Sequence, residues 1–150
     1  KFHVSRSFRR TLNNHAFQIK TNTAFKKVML ACAKPRSDDT GTWITDTMIA
    51  VYNQLHQNGI AHSFECWQDD RLVGGMYGLI LGDMFFGESM FSAKKDTSKI
   101  VMHYMCTTLK PFLIDAQVYS KHLATLGAEE IDRQQFIEIV RLRQGYTINI

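Results

Sequence analysis

Residues 61–92 restrict the possible fold more than any other part of this sequence. Three apolar stretches follow one another there, HSFECW, RLVGGMYGLIL and MFFGESMF, and the short turn signals QDD and GD separate them. Strand-forming stretches that are bounded by such turns are typical of an antiparallel meander. We therefore expect three consecutive, hydrogen-bonded strands at the centre of the fold.

The residues before this meander predict one short strand and three helices. Apolar residues recur at helical spacing in two of the helices, for which Asn22 and Thr45 are suitable N-cap residues. The predicted elements are a helix over 5–13, a strand over 17–22, a helix from Asn22 through Ala33 and a helix from Thr45 to Asn58. KPRSDDTGT, between the last two helices, is a loop by its Pro, Gly and Asp content.

The residues after the meander predict two further helical regions and one more strand. A helix capped by Asp96 or Thr97 runs through about Leu109, and a proline two residues later stops it. FLIDAQ reads as a buried strand, LATLGAEE as a short helix that ends at a glycine, and Asp132 as the cap of a last helix. This order predicts a single α+β domain with a mostly antiparallel sheet flanked by helices.

The first quarter of the chain is strongly basic. Residues 1–37 contain nine Lys and Arg residues and no acidic residue, whereas the remainder contains nine basic and fourteen acidic residues. Such a division indicates an anionic partner for the first quarter, and nucleic acid is the commonest candidate. The alternative is a pair of solvated basic helices that bind nothing, and charge alone does not separate the two interpretations.

Several classes of protein are disfavoured by the composition. The chain has no run of about 18 apolar residues and no apolar stretch after its first charges, so we expect neither a membrane span nor a secretory signal. A cytoplasmic location is the resulting expectation. The three cysteines form no C-x-x-C pair and have no histidine at metal-ligand spacing, which predicts buried free thiols and no metal site.

Two acidic residues interrupt stretches that otherwise resemble core strands. Glu88 lies in GESMF and Asp115 in IDAQ, and strand alternation would place Asp115 and Gln117 on one face. If the two strands are neighbours, Glu88, Asp115 and Gln117 can converge into a site for acid–base chemistry or substrate orientation. The alternative, which the pattern alone favours, is that Asp115 caps the next turn while Glu88 meets a lysine.

The glycine-rich stretch VGGMYG is not a phosphate-binding loop. It lies within an apolar strand and does not open a helix, so bulges or close backbone approach are the better interpretation. The junction before the central helix, FSAKKDTSKI, contains no glycine. Binding of the CoA pyrophosphate, which acyltransferases hold at a Gly-rich turn there, is therefore disfavoured.

Taken together, seven stretches resemble the leucyl/phenylalanyl-tRNA–protein transferases from about residue 4 to residue 136. They are GTWIT, AHSFECW, LVGGMYG, FFGESMFS, SK at 98–99, LIDAQ and ATLGAEEIDR. The resemblance implies an acetyltransferase-like (GNAT-like) fold, without CoA or metal, also used by peptidyltransferases of cell-wall synthesis. It also implies a monomeric enzyme that moves Leu or Phe from aminoacyl-tRNA to an N-terminal Arg or Lys, marking the acceptor protein for N-degron degradation.

The resemblance assigns roles residue by residue. The catalytic residues would be Glu88, Asp115 and Gln117. The substrate-binding residues would be Trp43 and Tyr52 at the aminoacyl-adenosine end of the tRNA, Gly87, Ser89 and Met90 on the GESM strand, Met105 and Leu109 at an apolar side-chain pocket, and Ile114 in the segment that contains Asp115 and Gln117. With the basic segment, it makes Arg6, Arg9, Arg10, Lys20, Lys26 and Lys27 candidates for contact with acceptor-stem phosphates.

The same resemblance describes the domain organisation. Residues 1–150 would be a single catalytic domain, with a basic tRNA-facing segment over 1–37 and a catalytic core over about 43–136. The family begins with a smaller N-terminal domain containing a WWSPDPR-like segment, and this sequence starts after it. Two alternatives stay open, an aminoacyl-tRNA-dependent peptidyltransferase acting on a cell-wall precursor and a non-catalytic RNA-binding module. The first usually has a duplicated domain, and intact Glu88, Asp115 and Gln117 argue against the second.

Overall fold

One five-stranded sheet organises the computed structural model, which describes residues 2–13, 16–34 and 44–150. Its strands are β1 Gln18–Thr21, β2 Ala61–Gln68, β3 Arg71–Leu81, β4 Met84–Ser92 and β5 Leu113–Asp115. They lie in the order of the chain, with β1 to β4 antiparallel to their neighbours and β5 parallel to β4. The predicted meander and the mostly antiparallel sheet of an α+β domain are therefore confirmed.

The two turns of the meander follow from their residue types. Asp69 and Asp70, between β2 and β3, both adopt positive φ angles of 49° and 57°. This conformation belongs to the two-residue turn whose twist matches that of the strands. Gly82, between β3 and β4, has a φ of 63°, and a Cβ atom there would lie 2.0 Å from the carbonyl oxygen of Arg143. Asp83 binds the Arg143 guanidinium group, so this turn anchors the last helix.

The described part of the chain contains six α-helices. They are α1 Arg6–Leu12, α2 Phe25–Cys32, α3 Asp46–Gln57, α4 Thr97–Tyr104, α5 Lys121–Thr125 and α6 Arg133–Arg143. A π-helical turn, Met105–Leu109, continues α4 to the end that the sequence predicts. The predicted caps Thr45 and Asp132 are confirmed, because each side chain accepts a hydrogen bond from an amide in the first turn of its helix.

The predicted cap of α2 is wrong. Asn22 has a φ of 60° and lies before the helix, whose N-cap position is occupied by Ala24. The side chain of Asn22 is used by the sheet instead, since its oxygen accepts the backbone N–H of Ser63 at 3.0 Å. The N–H of Ala24 donates to the Glu65 carboxylate at 2.7 Å, so a strand residue caps this helix from outside.

The sheet separates two apolar cores, because consecutive strand residues point to opposite faces. Met76 belongs to the α4-side cluster, which also contains Phe8 of α1, and Tyr77 belongs to the α3-side cluster. The other buried members of the α4-side cluster are Phe64, Cys66, Val73, Phe85, Ile100, Val101, Met102 and Met105. The other members of the α3-side cluster are Phe25, Val28, Met29, Ile44, Ile49 and Ala61. Helices α1 and α4 therefore cover one face, and α2 and α3 cover the other.

Candidate active site

Strand β4 loses its outer neighbour part-way along its length. β5 pairs with Met84, Phe85 and Phe86, whereas β4 continues to Ser92. Beyond Phe86 the outer edge of β4 therefore faces no strand in the ranges that the structure describes. We call residues 87–90 at this edge the β4 opening. Unpaired strand edges present backbone groups that can bond a ligand.

A β-bulge displaces Glu88 within the β4 opening. Tyr77 pairs with Ser89 and Gly78 pairs with Gly87, so Glu88 is the extra residue between them. A Cβ atom on Gly78 would lie 2.1 Å from a backbone carbonyl oxygen of β4, so glycine permits the close approach of the two strands. The predicted bulge or close approach at the glycine-rich stretch is thus confirmed, and bulges of this kind re-aim side chains at sites.

The Glu88 carboxylate faces Tyr52 of α3. Burial, the negative charge of Glu88 and a hydrogen bond to its carboxylate, in that order of size, together raise the pKa of Tyr52 to about 12. The phenol therefore stays protonated at neutral pH and acts as a donor to the carboxylate. In the described part of the chain the ion pairs are Lys99–Asp96 and Arg143–Asp83, so Glu88 does not meet a lysine there. Trp43, the other predicted aromatic contact, lies outside the described residues.

Asp115 ends β5 next to the β4 opening. It pairs with Phe86, and both point away from the α4-side cluster that Ile114 and Phe85 contact. The bulge interrupts alternation at Glu88, but the hydrogen bond between Glu88 and Tyr52 directs this carboxylate to the α3 side as well. The two carboxylates therefore lie on one face of neighbouring strands. Because Gln117 lies beyond the strand end, the expectation that strand alternation directs its side chain like that of Asp115 is wrong.

Gln117 is instead held in a turn. It has a positive φ of 63° and is exposed, and its backbone N–H donates to Asp115 Oδ1 at 2.8 Å. This short-range bond is an Asx-type turn, for which aspartate is favoured. This hydrogen bond fixes the Asp115 carboxylate directly beside the β4 opening. It agrees with the alternative interpretation of the sequence, in which Asp115 caps the turn after its strand.

The four apolar substrate-binding candidates, which include both residues of the predicted side-chain pocket, come together on the opposite face of the sheet. Met105 is fully buried in the α4-side cluster, and Met90, Leu109 and Ile114 pack against it. Met105 and Leu109 begin and end the π-helical turn, in which Lys110 N–H donates to Met105 O at 2.8 Å. Such turns are rare and frequently occur at functional sites. The gap between β4 and β5 separates this apolar surface from the carboxylates.

The six basic residues proposed to contact tRNA lie on both sides of the sheet. They are Arg6, Arg9 and Arg10 on α1, Lys20 on β1, and Lys26 and Lys27 on α2. Five are exposed, and the half-buried Lys20 places its ammonium group 5.0 Å from the centre of the Trp67 ring. Since β1 is an edge strand, the arrangement surrounds one end of the sheet and does not form one flat patch.

The sequence analysis missed a third carboxylate, Glu65 on β2. It is fully buried and accepts hydrogen bonds from Ala24 N–H at 2.7 Å, Ser63 Oγ at 2.9 Å, Trp67 Nε1 at 3.1 Å and Thr23 Oγ1. The signal was present, because Glu65 interrupts HSFECW as Glu88 interrupts GESMF. With four donors and a helix N-terminus beside it, Glu65 is a structural anchor for α2.

The start of α4 does not offer the free amides that a CoA pyrophosphate requires. Asp96 occupies the N-cap position with a φ of 64°, and its carboxylate binds Lys99 at 2.7 Å. The N–H of Ser98 is already bonded to Ser92 Oγ at 2.9 Å. A carboxylate and occupied amides do not fit a diphosphate. The described ranges also contain no cluster of three His, Cys, Asp or Glu side chains suited to a metal ion.

Comparison with known proteins identifies the family. The model for leucyl/phenylalanyl-tRNA protein transferases matches residues 1–141. The chain belongs to this family. It is 50% identical over 140 residues to the leucyl/phenylalanyl-tRNA–protein transferase of Nitrosomonas eutropha, covering 91% of this chain and 60% of that protein. It is 51% identical over 137 residues to that of Cellvibrio japonicus, covering 89% and 58%. The chain thus spans about three-fifths of the length of these curated relatives.

Solved structures with the same fold are acetyltransferases. An aminoglycoside N-acetyltransferase, AAC(6')-Iy in complex with CoA, superposes with a TM-score of 0.51 at 14% identity, over 78% of this chain and 90% of that one. The same enzyme bound to a bisubstrate analogue gives 0.52 at 14% identity, over 78% and 93%. This likeness confirms the acetyltransferase-like fold of this member of the transferase family. None of its described helices has an apolar run long enough to cross a bilayer.

Proposed function

We propose that this chain is the catalytic domain of an aminoacyltransferase that moves Leu or Phe from aminoacyl-tRNA to the N-terminal Arg or Lys of an acceptor protein. The observation that supports this most is the β4 opening. In a chain of this family, an unpaired strand edge lies between two carboxylates on one face and an apolar cluster on the other. The modified protein would then enter the N-degron pathway in the cytoplasm.

The reaction needs positioning more than it needs a nucleophile. The donor is an ester that the tRNA already activates, so the acceptor amine can attack its carbonyl without a covalent enzyme intermediate. Holding two reactants in the correct geometry supplies about 7 to 11 kcal/mol. The β4 opening suits this task, because its bulge, its glycines and the Asx-type turn at Asp115 fix the local backbone.

The carboxylates have the charge that an N-terminal amine recognises. Glu88, oriented by Tyr52, would attract the ammonium group of the acceptor, and Asp115 would accept a hydrogen bond from the amine and take up its proton during attack. Gln117, next to Asp115, would orient the same amine. Arg and Lys side chains of the acceptor match this acidic face by charge-assisted hydrogen bonds.

The apolar residues on the other face would select the transferred amino acid. Met105 is fully buried in the α4-side cluster, and Met90, Leu109 and Ile114 are partly buried and pack against that cluster. A hydrophobic pocket discriminates one methylene by only about 1–3 kcal/mol, which is consistent with acceptance of both Leu and Phe. Gly87 and Ser89 would let the aminoacyl ester approach the β4 backbone, and Trp43 with Tyr52 would contact the terminal adenosine.

The remaining features support binding of tRNA by a single domain. Residues 1–37 would contact acceptor-stem phosphates through the six basic residues named above, and the catalytic core would extend over about 43–136. Such contacts are independent of base sequence, as an enzyme that uses several tRNAs requires. We expect the protein to act as a monomer.

Transfer of radiolabelled leucine from Leu-tRNA to short peptides tests this function. The assay uses the full-length protein that the gene encodes, including any residues before position 1 or after position 150. We expect transfer to peptides that begin with Arg or Lys, and none to an N-acetylated Arg peptide or to one that begins with Asp. Equal transfer to all free amines would contradict the proposed role of the carboxylates, and no transfer to any peptide would contradict the function.

A further inference from the structure

Tyr77 has a buried hydroxyl group without a hydrogen-bond partner among the described residues. Its side chain is fully buried in the α3-side cluster, where its ring meets Phe25 at 6.0 Å and Tyr52 at 5.5 Å between centroids. A buried phenol normally finds a partner, because leaving it unpaired destabilises the fold. An unpaired group at this place therefore requires an explanation.

The surroundings of this hydroxyl group are those of the candidate active site. Tyr77 is opposite the bulge on β4, so the extra residue Glu88 and its neighbour Ser89 both face it. The rings of Tyr52 and Tyr77 meet edge to face at 82°, and Tyr52 is hydrogen-bonded to the Glu88 carboxylate, whose charge also acts on Tyr77. Burial raises the pKa of Tyr77, and the neighbouring acidic groups of Cys32, Tyr52 and Glu88 raise it further when they are ionised, so its phenol is a neutral donor at neutral pH.

We propose that Tyr77 is a positioning residue whose hydroxyl group donates to the Glu88 carboxylate when the acceptor amine is bound. Among the described residues of the free protein, Tyr52 is the hydrogen-bond donor that orients Glu88. A carboxylate has about four acceptor positions, so it can take hydrogen bonds from both phenols and still bind one ammonium group. Glu88 has no pairing partner on β3, so its side chain can turn from Tyr52 towards Tyr77 while the backbone of the bulge stays in place.

The proposal rests on the transferase function and explains why an unpaired buried group is retained. Tyr77 would be left without a partner in the free protein and would acquire one only in the complex. The destabilisation caused by the unpaired hydroxyl group then affects only the free protein, and the additional hydrogen bond in the complex favours the reactive arrangement. Removing the hydroxyl group should consequently stabilise the free protein and slow the reaction.

The test is the variant Tyr77→Phe, which removes one oxygen atom and keeps the ring. We expect kcat for transfer to an Arg-starting peptide to fall at least about tenfold, the value of one hydrogen bond to a charged group. The KM for aminoacyl-tRNA should be unchanged, and the Tm should stay equal or rise by about 2–4 °C. The matched control is Tyr146→Phe, which changes an exposed tyrosine whose ring contacts Arg143. It should change neither kcat nor Tm.

A double-mutant cycle with Glu88→Gln separates positioning from other roles. If Tyr77 acts through Glu88, adding Tyr77→Phe to Glu88→Gln should change kcat less than twofold. An equal fall in both backgrounds would overturn the proposal and assign the hydroxyl group to direct substrate contact. An unchanged kcat in Tyr77→Phe, or a fall that follows a lowered Tm, would also overturn it. Absence of transfer by the unmodified protein would instead refute the function, and this inference with it.

Discussion

Replacing Glu65 by alanine removes the acceptor of four hydrogen bonds at the start of α2. Thr23 is exposed and Trp67 is half-buried, so their donors can turn to water. Ser63 is fully buried, and Ala24, although half-buried like Trp67, bonds the carboxylate at 2.7 Å through a backbone N–H that cannot turn away. These two donors would be left without a partner, at about 1–3 kcal/mol each.

The expected loss in the free energy of unfolding is therefore about 2–6 kcal/mol. That is a large fraction of the roughly 5–15 kcal/mol by which most domains are stable. Urea denaturation followed by circular dichroism measures it, with Glu129→Ala on the exposed surface as the matched control, for which we expect a change below about 0.5 kcal/mol. Glu65→Gln keeps an acceptor oxygen and should lose less than Glu65→Ala. If the free energy of unfolding of Glu65→Ala were within about 1 kcal/mol of that of the unmodified protein, the anchoring role of Glu65 would be refuted.

Two further predictions concern the basic surface of α1 and the ring of His62. Charge reversal of Arg9 and Arg10 to Glu should weaken tRNA binding at least about tenfold and reduce the slope of log affinity against log salt concentration. Filter binding at several salt concentrations measures both values. An unchanged slope would exclude α1 from the interface. Burial lowers the pKa of His62, whose ring contacts Gly59 O and the Asn22 amide at 3.0 Å each. On acidification, the unfolded chain therefore binds a proton at His62 at a higher pH than the folded chain does. The free energy of unfolding should consequently fall as the pH drops below about 6.5. Urea titrations at several pH values should show a smaller fall for His62→Gln.

Local patterns in the sequence were sufficient to predict most of the fold. Alternation and turn residues defined the meander, because most apolar strand residues there point into one of two cores. Caps that act within their own helix, Thr45 and Asp132, were also predicted correctly. The cap of α2 was not, because it comes from Glu65 on a distant strand, and no local signal shows which strand a helix will meet.

The candidate site shows the same division between local and long-range information. The acids Glu88 and Asp115 were conspicuous in apolar strands, and the family resemblance gave them roles. The sequence could not show that Glu88 is the extra residue of a bulge, since this depends on pairing with Tyr77 and Gly78. It also could not show that β5 ends at Asp115, which leaves Gln117 in a left-handed turn and opens the edge of β4.

The most direct test of the proposed chemistry is single-turnover transfer of leucine by Asp115→Ala, with tRNA affinity measured in parallel. The account predicts a fall in the transfer rate of at least about a hundredfold, the contribution of a positioned acid–base group, while the affinity for Leu-tRNA stays within about twofold. Transfer at the unmodified rate by a variant with normal tRNA affinity would contradict it, because Asp115 would then have no part in the reaction at the β4 opening.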